Sequence, residues 1–178
     1  MRRFIFTGTP GAGKTTLLHA LAARGHNVVP EAATDVIARA QAAGVDEPWA
    51  EPEFIERIAT EQRERQLGAV PAALQLFDRS PVCTYALAEY LGLPVPAALR
   101  AELERIATQR VYQPAVFFVR NLGFCVPTAA RRISFADSLD FERVHRQSYR
   151  SFGFALLEIP AVPLADRVAL VESALAAE

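Results

Sequence analysis

The sequence predicts an α/β fold, a three-layer arrangement in which helices cover both faces of a mostly parallel, five-stranded sheet. Three observations carry that expectation. Short apolar runs such as Phe4-Ile5-Phe6 and Ala115-Val116-Phe117-Phe118-Val119 alternate with longer segments of helical period. A glycine-rich turn joins the first such run to the first helical segment. The chain has 178 residues, 51% of them hydrophobic, enough for one α/β core and too few for two.

Phe4-Ile5-Phe6 reads as a buried parallel strand, because such strands are apolar on both faces. Gly8-Thr9-Pro10-Gly11-Ala12-Gly13-Lys14-Thr15 follows it and fits the phosphate-loop pattern G-x-x-x-x-G-K-[ST]. Leu17, Leu18, Ala20 and Leu21 then recur at helical spacing, and Arg24-Gly25 supplies a cationic last turn and a glycine stop. Asn27-Val28-Val29 is the second strand, leading through Pro30-Glu31 into a helix ending about Gln41. Gly44 to Pro52 is a loop, and Trp49 within it either stacks on a substrate base or anchors the loop on the core. Residues 53–68 form a polar helix in which Glu53/Arg57 and Glu61/Arg65 are i,i+4 pairs on an exposed face.

Leu74 to Phe77 is the third strand, and it ends in Asp78-Arg79-Ser80. Ser80 is expected to cap the next helix, with Pro81 in its first turn and Leu91-Gly92 at its end. Another helix covers 96–110, and Ala115–Val119 is the fourth strand. Residues 120–133 show no clear period. Ser134 and Asp137 resemble a capping box opening a helix that reaches about Phe152. Phe154–Ile159 is the fifth strand, and a last helix follows Pro163.

Lys14 is the only lysine; every other basic side chain apart from three histidines is an arginine. A phosphate loop needs a compact ammonium as a point charge on the β- and γ-phosphates, and a planar guanidinium serves that poorly. Strand, glycine-rich turn and helix together aim backbone N–H groups and a helix N-terminus at an anion. Gly8, Thr9, Pro10, Gly11, Ala12, Gly13, Lys14, Thr15 and Thr16 are therefore the nucleotide-binding candidates. Thr15 is suited to Mg²⁺ and Thr16 to the α-phosphate.

Ligands of open α/β sheets sit beyond the carboxyl ends of the strands. Two acids reach that edge. Asp78 is placed to hold Mg²⁺, with helix capping as its competing reading. Glu31 is placed to accept a proton from a substrate hydroxyl, and a first-turn acid answering the helix dipole is an equal alternative. Arg79 could clamp a substrate group. Arg131 and Arg132, ahead of a capped helix, suit a closing lid that brings positive charge onto a phosphoryl group; solvated surface arginines are the competing reading. His19, His26 and His145 are scattered and read as structural or surface residues.

A formal net charge of −1 argues against an electrostatic nucleic-acid binder. No apolar run approaches a membrane span, and the stretch after Arg2-Arg3 breaks at Gly8, unlike a signal peptide. Cys83 and Cys125 form no metal-spacing motif and read as buried thiols of a cytoplasmic protein.

With those residues in view, the chain resembles small bacterial P-loop proteins of the AAA-like predicted-ATPase type. These are similar to the nicotinamide riboside kinase domain and to nucleoside and nucleotide kinases. The resemblance rests on Gly8–Thr15, Val28-Val29-Pro30-Glu31-Ala32, Phe77-Asp78-Arg79 and residues 128–135. It implies ATP and Mg²⁺ as cofactors, sheet order 2-3-1-4-5, and one domain over 1–178 with a helical lid at about 120–152. It also implies an Asp78-Arg79-Ser80 motif like the acid-Arg-Ser of deoxynucleoside kinases, a base at Glu31 and lid arginines at Arg131 and Arg132. A ring motor is disfavoured because no small helical domain follows the core. A typical GTPase is excluded because its Asn-Lys-x-Asp motif needs a second lysine. The expected activity is transfer of the ATP γ-phosphoryl group to a nucleoside- or nucleotide-like acceptor. A regulatory ATPase acting on a protein partner and a binding module without turnover are the alternatives.

Overall fold

The computed structural model describes residues 1–124 and 133–177. Strand β1 (Arg2–Thr7) leads through the phosphate loop into α1 (Lys14–Ala23), then β2 (Asn27–Val29) and α2 (Ala33–Ala42). A 3₁₀ turn (Pro48–Ala50) precedes α3 (Phe54–Gly68), β3 (Leu74–Asp78), α4 (Pro81–Leu91), α5 (Ala97–Thr108) and β4 (Ala115–Val119). Helix α6 (Phe135–Ser151), β5 (Ala155–Ile159) and α7 (Leu164–Ala177) complete it.

All strand pairs are parallel, and the sheet order is β2-β3-β1-β4-β5. The order the resemblance implied is the observed one. β1 lies between β3 and β4, so the chain winds to one side of β1 before crossing to the other. That reversal opens a crevice at the carboxyl end of β1, where the loop stands.

Side-chain alternation along the central strands divides the core in two. Phe4 and Phe6 join Leu76, Phe117 and Val119 under α1 and α7. Ile5, Phe77 and Val116 face the other way, into a cluster with α3, α4, α5 and Tyr149 of α6. Phe6 stacks on Phe117 with centroids 4.7 Å apart, a ring pair worth about 0.5–1.5 kcal/mol beyond its buried area. Trp49 packs against the second cluster, as the loop-anchor reading expects.

Two caps differ in kind. Ser134 accepts a hydrogen bond from the Asp137 backbone N–H at 3.1 Å, as anticipated for α6. Ser80 occupies the N-cap position of α4 but makes no side-chain cap. Its hydroxyl instead lies 2.8 Å from the Tyr149 hydroxyl, and its backbone carbonyl accepts from the Cys83 N–H at 2.9 Å. Tyr149 competes for the side chain because both residues are buried and the tyrosine hydroxyl also needs a partner. No helix among the described residues is long and apolar enough to cross a membrane.

Candidate functional site

The loop after β1 bends through left-handed backbone at Gly8 and Gly13, with φ of +136° and +78°. Thr9 and Ala12 are buried, while Thr15 and Thr16 at the start of α1 are exposed. Pro10 and Gly11 form the partly exposed crest of the loop. Lys14 is buried along its length, and its Nζ donates to the carbonyls of Gly8 and Thr9, each at 3.1 Å. Burial, helped by Arg79 and opposed by Asp78 and Glu31, pushes the Lys14 ammonium down to about 8.

Asp78 ends β3, the neighbour of β1. Its Oδ2 is 3.5 Å from the Thr15 hydroxyl, and its Oδ1 is buried without any hydrogen-bond partner. Burial and then the charge of Glu31 raise its pKa, against the pull of Lys14, Arg79 and the Thr15 hydroxyl. A buried carboxylate with an unmade acceptor, beside a hydroxyl, is a donor set that suits a hard divalent cation. Thr15 and Asp78 fit Mg²⁺ on those grounds. Among the described residues there is no group of three His, Cys, Asp or Glu able to hold a metal alone.

Arg79 follows at once, and its backbone is left-handed at φ +73°. That conformation costs a non-glycine residue about 1–3 kcal/mol and persists where surroundings over-determine it. The surroundings are plain. The Arg79 N–H donates to the Phe6 carbonyl at 2.9 Å, and its guanidinium forms an ion pair with Glu31 and approaches His145 Nε2 at 3.5 Å. Burial disfavours the Arg79 charge, but Glu31 and Asp78 outweigh it and raise its pKa.

Glu31 lies in the turn between β2 and α2. Its other carboxylate oxygen accepts from the Thr34 hydroxyl at 2.9 Å. Burial pushes its pKa up, yet Arg79, Lys14 and Thr34 more than offset this and hold it below the usual carboxylate value. The two acids are thus shifted in opposite directions, Glu31 down and Asp78 up. The ion pair joins the ends of the neighbouring strands β2 and β3. The turn itself is held by Arg65, whose Nη1 donates to the Pro30 carbonyl at 3.2 Å and also to that of Glu31.

Three residues of the site were not singled out by their local sequence. Arg65 was read as half of an exposed pair, but it is 17% exposed and spans Asp35, Glu61 and the Glu31 turn. His145 is fully buried; its Nδ1 is 3.0 Å from the Phe141 carbonyl, which leaves Nε2 as an acceptor facing Arg79. Burial and then Arg79 push His145 down to about 3, so the ring is neutral and supports Arg79 without repelling it. Arg167, at the start of α7, donates from Nη1 to the Ala12 carbonyl at 2.8 Å. Arg131, Arg132 and Cys125 lie outside the described residues; Cys83 is a buried free thiol.

Fold and loop together define a P-loop α/β protein. The profile of the AAA-domain family matches residues 3–167, and the chain belongs to that family. Among solved structures, deoxyadenosine kinase from M. mycoides with dCMP and dCDP bound aligns at a TM-score of 0.58 and 12% identity, over 99% of this chain and 100% of that one. The NadR protein in complex with NAD and AMP-PNP aligns at a TM-score of 0.69 and 16% identity, over 97% of this chain and 49% of NadR. The chain thus spans about half of NadR. At such identities the likeness establishes the fold. No curated protein matches the sequence.

Proposed function

We propose that the protein is a small-molecule kinase that transfers the γ-phosphoryl group of ATP to a hydroxyl of a nucleoside-like acceptor. The observation that carries this reading is the Glu31–Arg79 ion pair at the mouth of the phosphate loop, one residue past Asp78. Lys14 and the loop N–H groups would hold the β- and γ-phosphates. Thr15 and Asp78 would hold Mg²⁺, which when bound neutralises charge on the phosphates. The acceptor oxygen bonds to the γ-phosphorus as the bond to the β,γ-bridging oxygen breaks, ADP leaves, and the hydroxyl proton passes late, through Glu31, to solvent.

A carboxylate held below its usual pKa is a weak base, so Glu31 serves best by accepting the hydroxyl's hydrogen bond and aiming its oxygen. A phosphate acceptor would meet Arg79 with its charge already matched by Glu31, and an alcohol meets no such conflict. Arg131 and Arg132, within a lid at about 120–152 of a single domain spanning 1–178, complete the proposal as cations over the transferring group.

Substrate-dependent ADP release, measured over a panel of nucleosides, nucleotides and ribosides, tests the reading. At least one hydroxyl acceptor should raise release well above the slow reaction with water. Glu31→Gln should lower kcat about 10²-fold, the scale of a misplaced reacting group, while ADP binding stays unchanged. If no acceptor stimulates release and a protein partner does, the nucleotide-switch reading replaces this one.

A further inference from the structure

Arg167 carries a buried charge that the transfer described above does not use. The residue is 3% exposed, and only its Nη1 is satisfied, by the Ala12 carbonyl. Nε and Nη2 are buried with no hydrogen-bond partner. Other well-buried arginines of the chain, Arg65, Arg79 and Arg105, each pair with a carboxylate. Among the described residues Arg167 has none, and burial alone acts on its pKa, lowering it. Buried donors of this kind are nearly always met in a finished structure, so two unmet on one side chain point to a ligand that brings acceptors.

The fold says which part of a nucleotide would arrive there. The acceptor-side residues Glu31, Asp78 and Arg79 all lie at the ends of β2 and β3, on one flank of β1. Arg167 enters after β5, on the opposite flank. Phosphates laid along the loop with the γ-group toward Asp78 leave the nucleoside end directed at the β4–β5 side. The surroundings there are suited to a base. A Cβ placed on Gly13 would meet Arg167 Nη1 at 3.4 Å and Leu122 Cδ1 at 3.6 Å, so the two side chains flank one face of the loop. Leu122 is 38% exposed and Phe124, two residues on, is 56% exposed. The backbone between them is fixed, since Asn121 bonds Glu142 through Nδ2 at 2.9 Å and accepts from the Gly123 N–H at 3.1 Å. Apolar surface for a flat ring beside unmet donors for its edge is the chemistry of nucleobase recognition.

We propose that Arg167 is the nucleobase anchor of the bound nucleotide, hydrogen-bonding acceptor atoms of the base through Nε and Nη2 while Nη1 braces the phosphate loop. The inference rests on the nucleotide-binding reading above but not on the kinase step. A plain loop brace would affect every phosphate ligand alike; an anchor discriminates between ligands with and without a nucleoside.

Calorimetric titration with MgADP and with magnesium pyrophosphate separates the two, on wild type, Arg167→Lys and Arg167→Met, with thermal melting to check that each variant is folded. Both variants should weaken ADP binding by about tenfold or more beyond whatever loss they share with pyrophosphate through the missing brace, the scale of a lost charge-assisted hydrogen bond. Arg167→Lys keeps the charge and loses the fork, so it keeps the effect apart from instability. Equal weakening for both ligands overturns the anchor and leaves a brace; weakening for neither overturns the anchor and the brace alike. If wild type binds neither ligand, the nucleotide-binding reading itself falls, and the anchor with it.

Discussion

The proposed role of Lys14 needs a charged ammonium, yet Lys14 stands in a place that resists charge. Burial, first, and Arg79 bring its pKa to about 8 from the ordinary 10.5. A bound polyphosphate restores the proton, so above pH 8 nucleotide binding takes up a proton and weakens as pH rises. The expected loss is about tenfold in ADP affinity per pH unit above 8, the slope for one proton taken up. Stability of the free protein runs the opposite way. The lowered folded pKa means that the unfolded chain binds more protons between about 8 and 10.5, so unfolding free energy rises with pH in that window. Titration of ADP affinity and of urea midpoints from pH 7 to 9.5, each against Lys14→Met, checks both signs. An ADP affinity flat through pH 8 to 9.5 would show that Lys14 holds its proton in the free protein.

The turn between β2 and α2 shows how an element, more than a residue, places Glu31. Arg65 reaches from α3 to the carbonyls of Pro30 and Glu31, to Asp35 and to Glu61. Arg65→Ala should destabilise the protein by about 1–3 kcal/mol, since it strips partners from several groups at once, and should lower kcat by loosening Glu31. Arg39, 61% exposed, shares only the Glu61 carboxylate, and Arg39→Ala should cost less than about 1 kcal/mol and spare kcat. Equal effects in urea unfolding and kinetics would deny Arg65 its positioning role. Helix and strand positions were legible because periodicity, caps and glycine stops are local: Phe4–Phe6, Ala115–Val119 and the Ser134 cap all form where their residues suggest. Asp78 and Glu31 were legible as strand-end acids. Arg65, His145 and Arg167 were not, because each acts on a residue 34 to 155 positions away, through a topology no local window contains. Ser80 stands at the N-cap of α4 with Pro81 behind it, as its sequence suggests, but its hydroxyl answers Tyr149, 69 residues on, and not its own helix.

At the scale of the molecule the loop and the sheet are one piece, and Gly8 is where they join. A Cβ there would lie 2.3 Å from the Val119 carbonyl oxygen and 3.2 Å from its carbon. Those are backbone atoms of β4, which is held by β1 on one side and β5 on the other, so the neighbour has nowhere to go. The φ of +136° adds strain for any L side chain. The Gly8 carbonyl also accepts from Lys14 Nζ, so a shift of the loop displaces the ammonium that meets the phosphates. Gly8→Ala is therefore expected to cost about 4 kcal/mol or more, the range reserved for core clashes and special backbone positions. Against a total stability of about 5–15 kcal/mol for ordinary domains, such a loss leaves little folded protein near physiological temperature. Gly25→Ala and Gly92→Ala share the positive φ but meet nothing within 4 Å, and should cost only about 1 kcal/mol each. Urea unfolding of the three variants measures the difference, and ADP titration of whatever Gly8→Ala remains folded measures the coupling. A Gly8→Ala protein as stable as Gly25→Ala would mean that β4 can yield, and that the loop is seated on the sheet less rigidly than the Val119 contact requires.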